Sequence, residues 1–150
     1  KEVEGVGDAK CIPLWNGAGT VKVIVINADK QAADETLINT VKNHIEVQRP
    51  IGAEVTVESA VPLHINISVS LNLANGVTTD TAKQKISDSV SSYLKKNAFS
   101  GTYISYAQIG GCILAVDEIL DYSYLKVNGG TANVTIPDNA VPVLGVVTIA

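Results

Sequence analysis

Apolar and polar positions alternate most sharply over residues 63–73. Leu63, Ile65, Ile67, Val69, Leu71 and Leu73 fall on one face and His64, Asn66, Ser68, Ser70 and Asn72 on the other. A period of two sustained over that length predicts a long strand with one buried side. Upstream the period changes. Leu37, Ile38, Val41 and Ile45 recur at helical spacing with Asn39, Lys42, Asn43 and Glu46 outside the stripe, so a turn over 29–33 should lead into a helix that runs to about Gln48. Asp34 and Glu35 lie in its first turn, where the helix dipole favours negative charge. Arg49-Pro50-Ile51-Gly52 ends it, because proline disfavours the α region for Arg49 and Gly52 supplies the backbone freedom for a reversal. From Glu54 to Ser59 the alternation returns, giving another strand. At the front of the chain, the apolar runs Ala9–Leu14 and Thr20–Ile26 flank Trp15-Asn16-Gly17-Ala18-Gly19 and read as a hairpin, the second strand buried on both sides.

Beyond Asn75-Gly76 a second helix is predicted from about Thr79 to Lys96, with Ile86, Val90, Tyr93 and Leu94 as its stripe. Asp80 in its first turn and Lys95 and Lys96 in its last suit the dipole. A loop containing Gly101 leads to Ser105, the cap of a third helix with Tyr106, Ile109 and Ile113 along one face. Gly110 and Gly111 each weaken that helix by about 1 kcal/mol relative to alanine, so close packing against a neighbour is expected there. Ile119–Val127 reads as a strand, Asn128-Gly129 as a tight turn, and Ala132–Ile136 as the hairpin partner. Val141–Ile149 is the last strand, and Pro142 places its start at an edge.

These elements predict an α+β fold: about three helices on a mixed, largely antiparallel sheet in two layers. The order is ββαβ-βααβββ, with a ferredoxin-like βαββαβ kernel. Residues 1–8 are expected to be a linker from a missing N-terminal region, 9–61 a first α/β lobe, and 62–150 a second lobe packed closely on it, with a single domain as the alternative. The lobes share element order but no sequence repeat.

Composition removes several function classes. The formal net charge is -4 and Arg49 is the one arginine among 11 basic residues, so nucleic acid and anionic membranes are not expected partners. No apolar run approaches the ~20 residues of a spanning helix. The 150 residues contain no methionine and open on Lys1, so the sequence is expected to be a piece of a longer protein; no secretory leader is recognisable.

The search for chemistry finds little. Gly17-Ala18-Gly19 is half of a dinucleotide-binding fingerprint, but a strand follows it where a helix N-terminus is needed. His44 and His64 have no ligand-spaced companions, and Ser59 and Ser105 lack a nucleophile-elbow context. Asp117, Glu118 and Asp121 lack the pattern of a calcium loop. Cys11 and Cys112 read as buried free thiols, with a long-range disulfide as the alternative. Asn66-Ile67-Ser68 and Asn133-Val134-Thr135 match the glycosylation acceptor pattern and, without a leader, are expected to be coincidental. Trp15, and Tyr122 with Tyr124 on one face of a strand, fit either core filling or anchoring of another subunit. No catalytic residue, metal site or cofactor is expected. The candidate interface residues are Trp15, Tyr122, Tyr124, Val141 and Leu144.

Four stretches together resemble a known family: Trp15 to Val23, Arg49 to Val57, Ile104-Ser105-Tyr106-Ala107-Gln108-Ile109, and Pro142 to Thr148. In that order they are similar to the C-terminal part of the baseplate J-like proteins of contractile phage tails. The Arg-Pro-Ile-Gly-Ala stretch is the most specific. The sequence departs from the family pattern at Ala115-Val116, where Gly-Val is common, and near Ala33, where a serine cap is expected. The resemblance implies a structural baseplate wedge subunit with no catalytic residue. Its partners would be other baseplate subunits and further copies of itself, with no small-molecule substrate. It would lie in the host cytoplasm during assembly and then in the tail. Two rival readings are a cell-wall hydrolase completed by the missing region and a receptor- or glycan-binding tail module.

Overall fold

The computed structural model describes residues 2–150. The protein divides into two compact units, Lys1–Pro62 with Asn139–Val141, and Leu63–Asp138 with Pro142–Ala150. In the first, β1 (Val6–Pro13) and β2 (Thr20–Asn27) form the expected antiparallel hairpin. α1 (Glu35–Gln48) then leads across so that β3 (Glu54–Ser59) lies parallel to β2 in the order β1-β2-β3. Parallel neighbours require such a crossover, which is why the Pro50 and Gly52 reversal sits where it does. Val41, with Leu37, Ile38 and Ile45 beside it, packs on Val23 and Val25. Ile24 and Ile26, on the opposite face of β2, are also buried, as the run of branched apolar residues predicts.

Two boundaries differ from expectation. Asp34 is the cap of α1, its Oδ1 accepting from the Leu37 N–H at 2.8 Å, so a carboxylate does the work expected of a serine. β1 begins at Val6, inside the stretch read as linker, and Val3 and Val6 pack against the core of this unit. Glu2 also meets His44 at 3.3 Å. Two valines amid polar and glycine residues suffice to dock the segment on the apolar stripe of α1.

In the second unit, which takes all but the first two residues of β4 (Val61–Leu73) and of β8 (Ala140–Ile149), β4 is central in the sheet order β6-β4-β8, with β6 (Ile119–Val127) antiparallel to it and β8 on the other edge. The edge position is what Pro142 implied. Ile65, Ile67 and Val69 are buried and their polar alternates are not, as the period of two requires. α2 (Thr79–Asn97) buries Ala82, Ile86, Val90 and Leu94 and packs against α3 (Tyr106–Leu114), which in turn packs on β6. Ser105 caps α3 as expected, accepting from the Gln108 N–H at 3.3 Å.

The expected hairpin partner of β6 goes elsewhere. Asn128 and Gly129 do form a tight turn with left-handed φ of 49° and 78°, and Val127 and Gly130 exchange both backbone bonds. After that single bridge the backbone leaves β6. The Asn133 side chain accepts from the Tyr106 N–H at 2.9 Å, and β7 (Val134–Thr135) pairs with β5 (Tyr103–Ile104). Satisfying the orphan donors at the start of α3 draws this segment away from the sheet. The βαββαβ order runs through β2-α1-β3-β4-α2-β5, with its strands distributed over separate sheets.

Candidate interaction surface

The polar residues singled out in the sequence are largely occupied by structural tasks. Asn66 Oδ1 accepts from the Val146 N–H at 2.8 Å, its own N–H donates to Asn128 Oδ1 at 2.8 Å, and its carbonyl accepts from the Asn128 N–H. Both acceptor-pattern asparagines, Asn66 and Asn133, therefore brace backbone. Glu118 is hydrogen-bonded to Lys85, which holds its carboxyl below the usual range. Asp121 Oδ1 accepts from the Tyr122 N–H. Among the described residues no three His, Cys, Asp or Glu side chains gather as a metal site would need. Gly17-Ala18-Gly19 is the turn between β1 and β2, fixed by a 2.7 Å bond from Thr20 Oγ1 to the Gly17 carbonyl. Both cysteines are free, but Cys11 is exposed, contrary to the reading of two buried thiols. Cys112 is half-buried, and burial pushes its thiol up.

The five candidate interface residues are placed very differently. Val141 is 0% exposed, so it belongs to the interior and cannot meet a partner; the assignment is corrected. A strand that begins at a sheet edge can still run through the core. Leu144 is half-buried. Tyr122 is also half-buried, and its ring end fills the space above Gly110, where a Cβ would lie 2.3 Å from Tyr122 Oη. Close packing thus explains Gly110. It does not explain Gly111, which has nothing within 4 Å of the corresponding point.

Tyr124 does not share a face with Tyr122. Opposite Ser68 and Ser70 of β4 stand Lys126 and Ser123, so β6 carries one residue more than its partner there. Tyr124 occupies this bulge with φ of 53° and is 84% exposed. An L-residue with a large side chain is strained in that conformation by about 1–2 kcal/mol. A bulge is invisible to a strict period-two reading, which is why that reading pairs the two tyrosines.

Trp15 lies in the first unit, 40% exposed, with the Lys22 ammonium 4.1 Å from its ring centroid. Lys22 in turn reaches Glu58 at 3.1 Å, so the indole is held by a cation–π contact that is itself anchored. The Glu54 N–H donates to the Gly19 carbonyl, which sets the turn after α1 beside the β1–β2 turn. That end of the sheet therefore also presents Leu14, Val47 and Ile51, all exposed, with Leu14 at a left-handed φ of 56°. The sequence reading misses these three, although an isoleucine between Pro50 and Gly52 in a turn is a readable signal.

α3 supplies a further surface. Tyr106–Leu114 contains no charged residue, and its outward positions Ala107, Gln108, Gly111 and Leu114 are exposed. A helix facing water ordinarily carries charge on that side. Beside it, Ser89, Ser92 and Lys96 of α2 complete an open groove with Gly111 and Cys112. The outward face of α3 is itself uncharged, and the groove beside it has one charged lining residue, Lys96.

Comparison with known proteins identifies the family of the chain. The model of the baseplate J-like central domain matches residues 1–59, and that of the baseplate J-like protein C-terminal domain matches residues 65–150. The phage-like element PBSX protein XkdT of Bacillus subtilis (strain 168) is 40% identical over 99% of this chain, as is the protein YqbT of the same strain. The chain spans 45% of the length of each. A protein in the cryo-EM structure of the anti-feeding prophage baseplate shares the fold, with a TM-score of 0.66 at 10% identity over 93% of this chain and 34% of that one. With two successive domain models covering nearly its whole length, the chain belongs to the baseplate J-like family.

Proposed function

We propose that this chain supplies the central and C-terminal domains of a structural wedge subunit in the baseplate of a contractile phage or prophage tail. The consecutive match to both baseplate J-like domain models carries the reading. Its work is mechanical. Trp15, with Leu14 and Ile51 beside it, Tyr124, and the uncharged face of α3 are its contacts with neighbouring subunits; Leu144 contributes at its margin. Large apolar residues held exposed, two of them at strained φ, are retained where a partner covers them. No catalytic step, metal or cofactor enters. The protein is assembled in the host cytoplasm and ends in the tail, where packed interfaces hold one arrangement before contraction and another after it.

Mass spectrometry of purified tail particles from the source strain, with peptides from residues 49–97 as reporters, tests this directly. A fixed ratio to the sheath protein is expected; absence from otherwise complete tails would overturn the reading.

A further inference from the structure

Three Asn-Gly pairs lie in exposed turns: Asn16-Gly17, Asn75-Gly76 and Asn128-Gly129. Glycine after asparagine leaves no Cβ to hinder attack of its backbone nitrogen on the asparagine amide carbon. The three environments differ sharply. Asn128 Oδ1 is held by the Asn66 N–H at 2.8 Å, which fixes the electrophile. The Gly17 N–H, the nucleophile at the first pair, is bonded to the Leu14 carbonyl at 3.3 Å. At the second pair, the turn is closed one residue later by the Val77 N–H on the Ala74 carbonyl at 3.2 Å. Neither the Asn75 side chain nor the Gly76 N–H makes a hydrogen bond among the described residues.

We infer that Asn75 is a site of spontaneous deamidation in the folded protein and that Asn128, despite the same dipeptide, is protected by Asn66. The Gly76 nitrogen gives its proton to base and attacks Asn75 Cγ. A bond forms between that nitrogen and Cγ, closing the ring; the bond from Cγ to Nδ2 breaks, and Nδ2 leaves as ammonia after protonation. Water then opens the cyclic imide at either carbonyl, leaving an aspartyl or an isoaspartyl residue at position 75. No oxidant or reductant is involved. The position joins the end of β4 at Leu73 to Thr78, the cap of α2. An aspartyl product adds a negative charge near the N-terminus of α2, where the dipole accepts it. An isoaspartyl product routes the backbone through Cβ and Cγ and lengthens this short link.

The test is peptide mapping by mass spectrometry of the full-length protein held at mildly alkaline pH, folded and in denaturant. In the folded protein, position 75 converts fastest, at least about five-fold faster than position 128, the factor that one net hydrogen bond supports. In denaturant the three rates converge. Conversion at position 128 or 16 as fast as at 75 in the folded protein would overturn the inference. So would an unreactive position 75 under conditions where the denatured protein converts.

Discussion

Glycines separate two kinds of constraint at the scale of single residues. A Cβ on Gly7 would lie 1.9 Å from the Asn27 carbonyl oxygen and 2.8 Å from its carbon. Backbone cannot step aside as a side-chain tip can, so Gly7→Ala should destabilise the protein by about 1–3 kcal/mol in urea unfolding. Gly111 has open space instead, and Gly111→Ala should stabilise the isolated protein by about 0.5–1 kcal/mol through helix propensity. If the α3 face is a contact surface, the same variant enters tails less well, since the methyl group intrudes on the partner. Tyr124→Gly relieves a strained φ and should raise the unfolding midpoint slightly while incorporation into tails falls. A loss of stability in this variant would show that Tyr124 serves the fold.

Caps and cross-links decide the behaviour of whole elements. Ser105 both caps α3 and donates its N–H to Tyr93 Oη of α2 at 3.1 Å. Ser105→Ala removes the cap alone and should cost about 1 kcal/mol, read as a lower thermal midpoint. The Lys85–Glu118 pair ties α2 to the segment entering β6. Its carboxyl is held below the ordinary value of 4.5, first by the hydrogen bond from Lys85. A carboxyl depressed on folding contributes stability that is present above its unfolded value and lost as pH falls through the folded one. Stability should therefore decline as pH drops below 4.5, and Glu118→Gln should flatten that decline in urea midpoints measured across the acid range. The effect is small, because the pair is solvent-screened.

For the molecule as a whole, the exposed Val47 and Ile51 matter most: they lie outside the apolar cluster that Val23, Val25 and Val41 form in the first unit. Changing Val47 and Ile51 together to serine removes exposed apolar surface and no core contact. The thermal midpoint should hold, as surface substitutions change stability by less than about 0.5 kcal/mol. Recovery of the protein in purified tails should drop. A fall in the midpoint with unchanged recovery would place these residues in the fold and not in assembly.

Much was determined by the sequence alone. The period of two in β4, the period of 3.6 in all three helices, the Pro50-Gly52 reversal and the Ser105 cap are local signals, and local backbone chemistry obeys them. The family resemblance was legible for a similar reason, since it rests on short stretches that set turns and the starts of strands. What only the tertiary structure decided depends on residues far apart in the sequence. The bulge at Tyr124 exists because β6 must match β4 across register. β7 left β6 because Asn133 satisfies the start of α3. Val141 proved interior because burial depends on what surrounds a strand, and the pattern of a single strand does not encode its surroundings. The exposed end formed by Leu14, Trp15, Val47 and Ile51 arises the same way: parallel pairing of β2 with β3 brings together two turns that are about thirty residues apart.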